Sequence, residues 1–278
     1  MSAASLADPV QIARDYYNSD DADNFYYEIW GGEDIHIGLY ESESEPIPTA
    51  SERTVATMAA ELAALDAQSR VADFGAGYGG SARWLAQAFG CHVSCVNLSE
   101  VQNRRNREIT AAAGLSDLID VYDASFESAP LEDASFDCVW SQDSLLHAGK
   151  RHRVLEEVDR ILKPGGEFIF TDPMQADDCP PGVLQPVLDR LHLDSLGSFA
   201  YYRAAAKKLG WTELGIRDLT SQLVNHYTRV RQELAMRRSQ LADRISEEYV
   251  DRMLQGLGNW VDAGVNGHIA WGILHFRK

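Results

Sequence analysis

Residues 71–86 read VADFGAGYGGSARWLA: a hydrophobic run, a glycine turn and the start of a helix. Gly75, Gly77 and Gly80 satisfy G-x-G-x-x-G, and Gly75, Gly77 and Gly79 satisfy G-x-G-x-G. Glycines at these spacings allow a tight turn and a close backbone approach to a ligand beside a helix N-terminus. Taken alone, the loop suits NAD, FAD or S-adenosylmethionine.

Working outward, short β-like runs alternate with helical ones. The strands read VADF (71–74), HVSCVN (92–97), LIDVYDA (118–124), FDCVW (136–140) and EFIFTDP (167–173). Between them lie SARWLAQAF, VQNRRNREITAAAG and KRHRVLEEVDRIL, the last with Val154, Leu155, Val158, Ile161 and Leu162 on one helical face. Strands alternating with helices predict parallel pairing through crossover helices, hence a doubly wound α/β sheet covered on both faces. Upstream, Pro46 and Pro48 end an irregular, aromatic and acidic stretch, and Thr49 or Ser51 is positioned to cap a helix carrying Val55, Met58, Leu62 and Leu65. Downstream, TELGIRDL (212–219) is a sixth strand, 222–262 is helical, and HIAWGILHF (268–276) returns as an antiparallel edge strand. The predicted organisation is a lid segment at 1–50, a Rossmann-like cofactor domain at 51–220, a helical lid at 221–267 and a closing edge strand at 268–278.

The chain has 278 residues, 42 acids against 25 bases and a formal charge of −17, with 45% hydrophobic and 24% charged residues. That composition excludes low-complexity disorder. Only five of the bases are Lys. An acidic, Lys-poor surface repels polyanions, which argues against nucleic acid as a partner, and it stays soluble where salt screens charge. Cys91, Cys95, Cys138 and Cys179 form no C-x-x-C pair and read as reduced thiols. MSAASLADPVQIARDYY lacks a basic region followed by an apolar run, and no apolar stretch reaches membrane-spanning length. The expectation is a cytoplasmic protein, monomer or homodimer, without a membrane partner.

Three features separate the possible cofactors. Asp73 stands two residues before the first glycine, Asn97 replaces the acidic residue a dehydrogenase shows after its second strand, and LKPGGEFIFTDP (162–173) follows the fourth helix. This pattern resembles the class I S-adenosylmethionine methyltransferases. FYYEIWGGEDIHIGLY (25–40), NLSEVQNRRN (97–106), WSQDSLLH (140–147), TDPM (171–174) and HIAWGILHFRK (268–278) further resemble the sarcosine/dimethylglycine N-methyltransferases nearly end to end. The resemblance implies S-adenosylmethionine as cofactor, S-adenosylhomocysteine as product, and a small amino acid as substrate, giving the osmolyte glycine betaine. Another amine acceptor, such as phosphoethanolamine or glycine, is the alternative within this class. A dinucleotide oxidoreductase and a silent binding protein are the alternatives outside it.

Cofactor contacts are expected from His36, from Asp73, Gly75 and Gly77, from Asn97, Leu98 and Gln102, from Asp123, Ala124 and Ser125, and from Ser141. Methyl transfer to an amine needs a free lone pair, so the site must remove a proton and hold the acceptor in line, with no metal required. A more distant resemblance, to the phosphoethanolamine methyltransferases, implies a catalytic Tyr–His dyad at Tyr26 and His147. For the substrate, Trp30, Tyr201, Tyr202 and Trp271 are candidates for a cage around a methylated ammonium. Pro173 and Met174 sit where that distant family places a Tyr. Arg203, His226 and Arg229 are candidates to clamp a carboxylate.

Overall fold

The computed structural model describes residues 9–63, 65–191 and 193–278; the first eight residues of the predicted lid segment lie outside them. The strands are β1 (Arg70–Phe74), β2 (His92–Asn97), β3 (Ile119–Asp123), β4 (Phe136–Gln142), β5 (Leu162–Thr171), β6 (Met174–Gln175), β7 (Thr212–Asp218), β8 (Ile269–Ala270) and β9 (Gly272–Arg277). The helices are α1 (Pro9–Tyr17), α2 (Asp20–Phe25), α3 (Ile47–Ala59), α4 (Gly80–Phe89), α5 (Glu100–Ala112), α6 (Arg151–Ile161), α7 (Gln185–Leu191), α8 (Phe199–Leu209), α9 (Thr220–Arg237) and α10 (Glu247–Val265). Seven strands form one sheet in the order β3-β2-β1-β4-β5-β9-β7. The first five are parallel, and β9 runs antiparallel to both of its neighbours.

Because alternate residues of a strand face opposite ways, each strand feeds two cores. Val71, Val93, Cys138 and Ile169 pack under α3 and α4, while Ala72, Val96, Val139 and Phe170 pack under α6 and α8. The order 3-2-1-4 reverses at β1, so the crevice outside the carboxyl ends of β1 and β4 is the place where such a sheet binds ligands.

Two sequence expectations need correction. The closing run is antiparallel but lies one place inside the edge, which β7 occupies. The reason is burial: Gly272–Phe276 is buried throughout, whereas β7 is exposed or half-exposed along its length and carries Glu213, Arg217 and Asp218, charges that suit an edge. The run is also broken at Trp271, so that Ile269–Ala270 pairs with β6 in a separate two-stranded ribbon. The second correction is the start of α3. It begins at Ile47 rather than after a Thr49 or Ser51 cap, with Pro48 inside its first turn, where the missing proline N–H has no intrahelical partner to lose.

A third core lies above the sheet. Phe25, Trp30, Tyr227, Trp260 and Trp271 belong to one buried cluster that joins the N-terminal segment to α9 and α10. The Tyr227 and Trp260 rings stack 5.1 Å apart and 7° from parallel. Residues 26–30 form a π-helical turn between α2 and Gly31, which turns Tyr26 and Trp30 into this cluster. No helix among the described residues is long and apolar enough to cross a membrane.

Candidate active site

After β1 the backbone enters the left-handed region at Gly75, Gly77 and Gly79, with φ of 78°, 53° and 77°. A Cβ on Gly75 would collide with the Ser144 side chain, and one on Gly79 with Asn106. Glycine at these positions lets the loop lie between the ends of β2 and β4. The result is a cleft at the carboxyl ends of β1, β2 and β4, where a sheet of this order takes its ligands. Asp73, Gly75 and Gly77 line it from β1, Asn97, Leu98 and Gln102 from β2 and α5, and Gln142, Asp143, Ser144 and His147 from β4 onward. Tyr17 and Glu33 through His36 close it from the N-terminal segment.

Polar groups of this cleft are poised for a ligand. Gln142 Oε1 accepts from Ser81 Oγ at 2.6 Å and Trp140 Nε1 at 2.9 Å, which leaves its amide Nε2 without a partner. Gln102 Oε1 accepts from Asn97 at 3.1 Å, and its Nε2 is likewise unmet. Asp34 Oδ1 and His36 Nε2 face each other as a loose ion pair at 3.4 Å. Each unmet buried group costs about 1–3 kcal/mol, so a polar molecule with several donors and acceptors fits here. The charge fits a cation. Burial pushes Asp73 up to about 7 against the pull of His36, and burial also raises Asp143. A cationic guest beside them would favour their ionised form.

A smaller chamber adjoins the cleft, lined by Tyr26, Trp30, Ile37, Leu146, Pro173 and Tyr227. Both spaces share Tyr17, Ile35, Asp143 and His147, so these four mark the junction. Asp143 holds a left-handed backbone with φ of 51°; its carboxylate accepts from the Ile37 N–H at 2.6 Å and from Trp271 Nε1 at 2.7 Å. His147 ends the short helical turn Leu145–His147. That turn is anchored by Asp172, which accepts from the Leu146 N–H at 2.9 Å and from the Tyr202 hydroxyl at 2.6 Å. Burial pushes Asp172 up to about 7.

The hydroxyl 2.8 Å from His147 Nε2 belongs to Tyr17, a residue the sequence reading passed over. Tyr26 is its neighbour: the two rings lie 5.4 Å apart, and the Tyr26 hydroxyl is 3.2 Å from that of Tyr16. Nothing in the spacing of so many N-terminal aromatics singles out Tyr17, because its contact spans 130 residues.

Other expected residues fall elsewhere. Asp123 accepts from Asn103 and Arg107 and is half-exposed, and neither it nor Ala124 nor Ser125 lines the cleft; Ser125 Oγ instead accepts from the Glu127 N–H. Ser141 is buried beneath the loop, donating to the Phe74 carbonyl at 2.7 Å. Trp271 and Tyr202 form no cage, since their polar ends hold Asp143 and Asp172; Tyr201 packs edge-on against Tyr202, with the Arg151 guanidinium over its face. Met174 is buried in β6, and Arg203 is spent on a surface pair with Glu213 at 3.1 Å. Arg229 borders a separate surface pocket with Glu28 and Arg237. His226 is fully buried, and burial pushes its pKa down to about 3, so it is a neutral ring and no cationic clamp.

A sheet ordered 3-2-1-4-5 with an antiparallel strand near one edge, a glycine loop after β1 and an acidic polar cleft above it define a class I methyltransferase that uses S-adenosylmethionine. A family model described as a methyltransferase domain matches residues 72–170. A sarcosine/dimethylglycine N-methyltransferase of Aphanothece halophytica is 55% identical, over 96% of this chain and 96% of its own. One of Halorhodospira halochloris is 54% identical, over 97% and 96%. A Galdieria sulphuraria crystal structure described as a sarcosine dimethylglycine methyltransferase superimposes with a TM-score of 0.90 at 43% identity, covering 95% of this chain and 98% of that one. The chain belongs to the sarcosine/dimethylglycine N-methyltransferase family.

Proposed function

We propose that this protein transfers methyl groups from S-adenosylmethionine to sarcosine and dimethylglycine, giving glycine betaine. The observation that carries the reading is the junction of an acidic cofactor cleft with a small aromatic chamber at Tyr17, Asp143 and His147. Asp34, His36, Gln102 and Gln142 would hold the cofactor above the glycine loop. The group held there supplies an electrophilic methyl carried on a sulfonium.

The chain's own part is to present the acceptor. Sarcosine and dimethylglycine are mostly protonated near neutral pH, so the amine must lose a proton before its lone pair can take the methyl. His147, hydrogen-bonded to Tyr17 and fixed by Asp172 through Leu146, stands at the junction to receive that proton. The ring faces of Tyr26, Trp30 and Tyr227 suit the positive charge of the methylated product and keep water out. Among the described residues no Arg or Lys lines the chamber, which disfavours a phosphate-bearing acceptor. We place the reaction in the cytoplasm, because Cys91, Cys95 and Cys138 are buried free thiols suited to a reducing compartment.

Purified protein incubated with S-adenosylmethionine and glycine, sarcosine, dimethylglycine or phosphoethanolamine in parallel tests this. S-adenosylhomocysteine should form with sarcosine and dimethylglycine. Turnover confined to phosphoethanolamine would overturn the assignment.

A further inference from the structure

Two buried N–H donors have no acceptor, one on Trp30, which lines the inner chamber, and one on His226, packed behind it. Trp30 Nε1 and His226 Nε2 are both buried and unmet among the described residues, and their rings pack 5.1 Å apart. Trp30 lines the part of the chamber that is not shared with the cofactor cleft.

The His226 tautomer is fixed by its neighbours. The Gly38 N–H donates to Nδ1 at 3.1 Å, and the Tyr40 hydroxyl lies 3.0 Å from the same nitrogen. A bare Nδ1 in a neutral ring puts the proton on Nε2. The Gly38 backbone cannot drift from this bond, because it is pressed so tightly against Ala50 and Ser51 of α3 that a Cβ would clash. Gln222, one turn earlier on α9, holds the Tyr40 backbone from both sides, accepting from its N–H at 2.8 Å and donating to its carbonyl at 3.2 Å. The imidazole is therefore held through Nδ1, with its proton on Nε2.

An amino acid acceptor brings a carboxylate into a chamber lined by no Arg or Lys among the described residues. An N-methylated glycine carries its nitrogen one carbon from that carboxylate. With the nitrogen at the junction, the carboxylate falls inside the chamber, on the side Trp30 lines. We propose that Trp30 Nε1–H and His226 Nε2–H receive the substrate carboxylate as a pair of neutral donors, and so select amino acid acceptors over amines that lack a carboxylate. The proposal rests on the functional reading above and adds the residues that set acceptor class. A neutral pair can satisfy a monoanion through hydrogen bonds, but it leaves a phosphate dianion short of countercharge.

Trp30→Phe keeps the ring and removes the N–H. His226→Asn keeps an oxygen able to accept from Gly38 while placing nothing where Nε2 stands, and it serves if the first variant folds poorly. Each variant, checked by melting in S-adenosylhomocysteine, is compared with wild type in two ways. One is kcat and KM with dimethylglycine and with N,N-dimethylethanolamine; the other is calorimetric binding of both to the S-adenosylhomocysteine complex. The expected result is a loss of about ten- to a hundredfold for dimethylglycine, expressed in KM and Kd, the worth of one hydrogen bond to a charged group. N,N-dimethylethanolamine should be unaffected by His226→Asn and should lose far less than dimethylglycine in Trp30→Phe, where only the ring-face contact changes. Equal losses on both acceptors would assign the two residues to packing and overturn the proposal, as would unchanged use of dimethylglycine. A wild type that does not use dimethylglycine at all would overturn the functional reading itself.

Discussion

The outer cleft and the inner chamber are built in opposite ways. The cleft is made by local sequence: Asp73 through Gly80, Asn97 through Gln102 and Gln142 through His147 each stand at the end of a strand that the sheet places automatically. The chamber draws on segments far apart in the chain, with Tyr17, Tyr26 and Trp30 from the N-terminal segment, Leu146 and Pro173 from the sheet, and Tyr227 from α9. The cleft is polar, acidic and rich in unmet donors and acceptors; the chamber is aromatic, and it shares Asp143 and His147 with the cleft. On the proposed reading, cofactor binding falls mainly to the strand ends, helped by Asp34 and His36, while acceptor choice falls to the segments packed over the sheet.

If that division holds, Gly75→Val should have the largest effect. Its φ of 78° is hostile to a β-branched residue, and the added Cβ would strike Ser144. Binding of S-adenosylmethionine should be lost in calorimetry while circular dichroism retains the helices; unchanged affinity would break the cleft half of the comparison.

The next effect is on stability. Asp172 is pushed up to about 7 from an ordinary value of 3.8, so between those values the folded state keeps a proton that the unfolded state has lost. Stability therefore falls as pH rises from about 4 to about 7, by at most about 1.4 kcal/mol per pH unit from this group. Asp73 acts in the same direction, while His226, pushed down to about 3, acts in the other. Asp172→Asn lacks this titration, so the Tm of wild type relative to the variant should decline from pH 5 to 8. Parallel profiles would mean that the carboxyl anchoring the His147 turn is ionised throughout.

The smallest effect concerns the surface shared by both regions. With 42 acids against 25 bases, sodium chloride should raise Tm by a few degrees as it screens repulsion. A Tm that falls steadily toward molar salt would show that ion pairs such as Arg83–Glu33 and Arg105–Asp23, which tie the N-terminal segment to the cofactor side, outweigh that repulsion.

The cleft was legible in the sequence because its signals are contiguous: three glycines, an acid two residues before them, and strands whose ends carry the contacts. The parallel order of β1 to β5 followed from the alternation of elements. The place of β9 did not, because it depends on which of two late strands is buried on both faces, and the apolar run of 272–276 against the charges of 212–218 was the available clue. The chamber was legible only in composition. Tyr17 meets His147 through folding of the N-terminal segment, and Trp271 and Tyr202 look like cage aromatics until their polar ends are seen to hold Asp143 and Asp172. Arg203 carries no mark in sequence of the surface pair that removes it from the site.

The claim on which the account turns is that Tyr17 and His147, where the two spaces meet, remove the acceptor's proton as a unit. A double-mutant cycle with Tyr17→Phe and His147→Ala, read as kcat for dimethylglycine and Kd for S-adenosylmethionine, measures this directly. The account predicts that His147→Ala lowers kcat by a factor on the order of 10²–10⁴. It predicts a combined loss well below the product of the single losses, with cofactor affinity little changed. Near-wild-type kcat in the double variant, or losses that simply multiply, would contradict it.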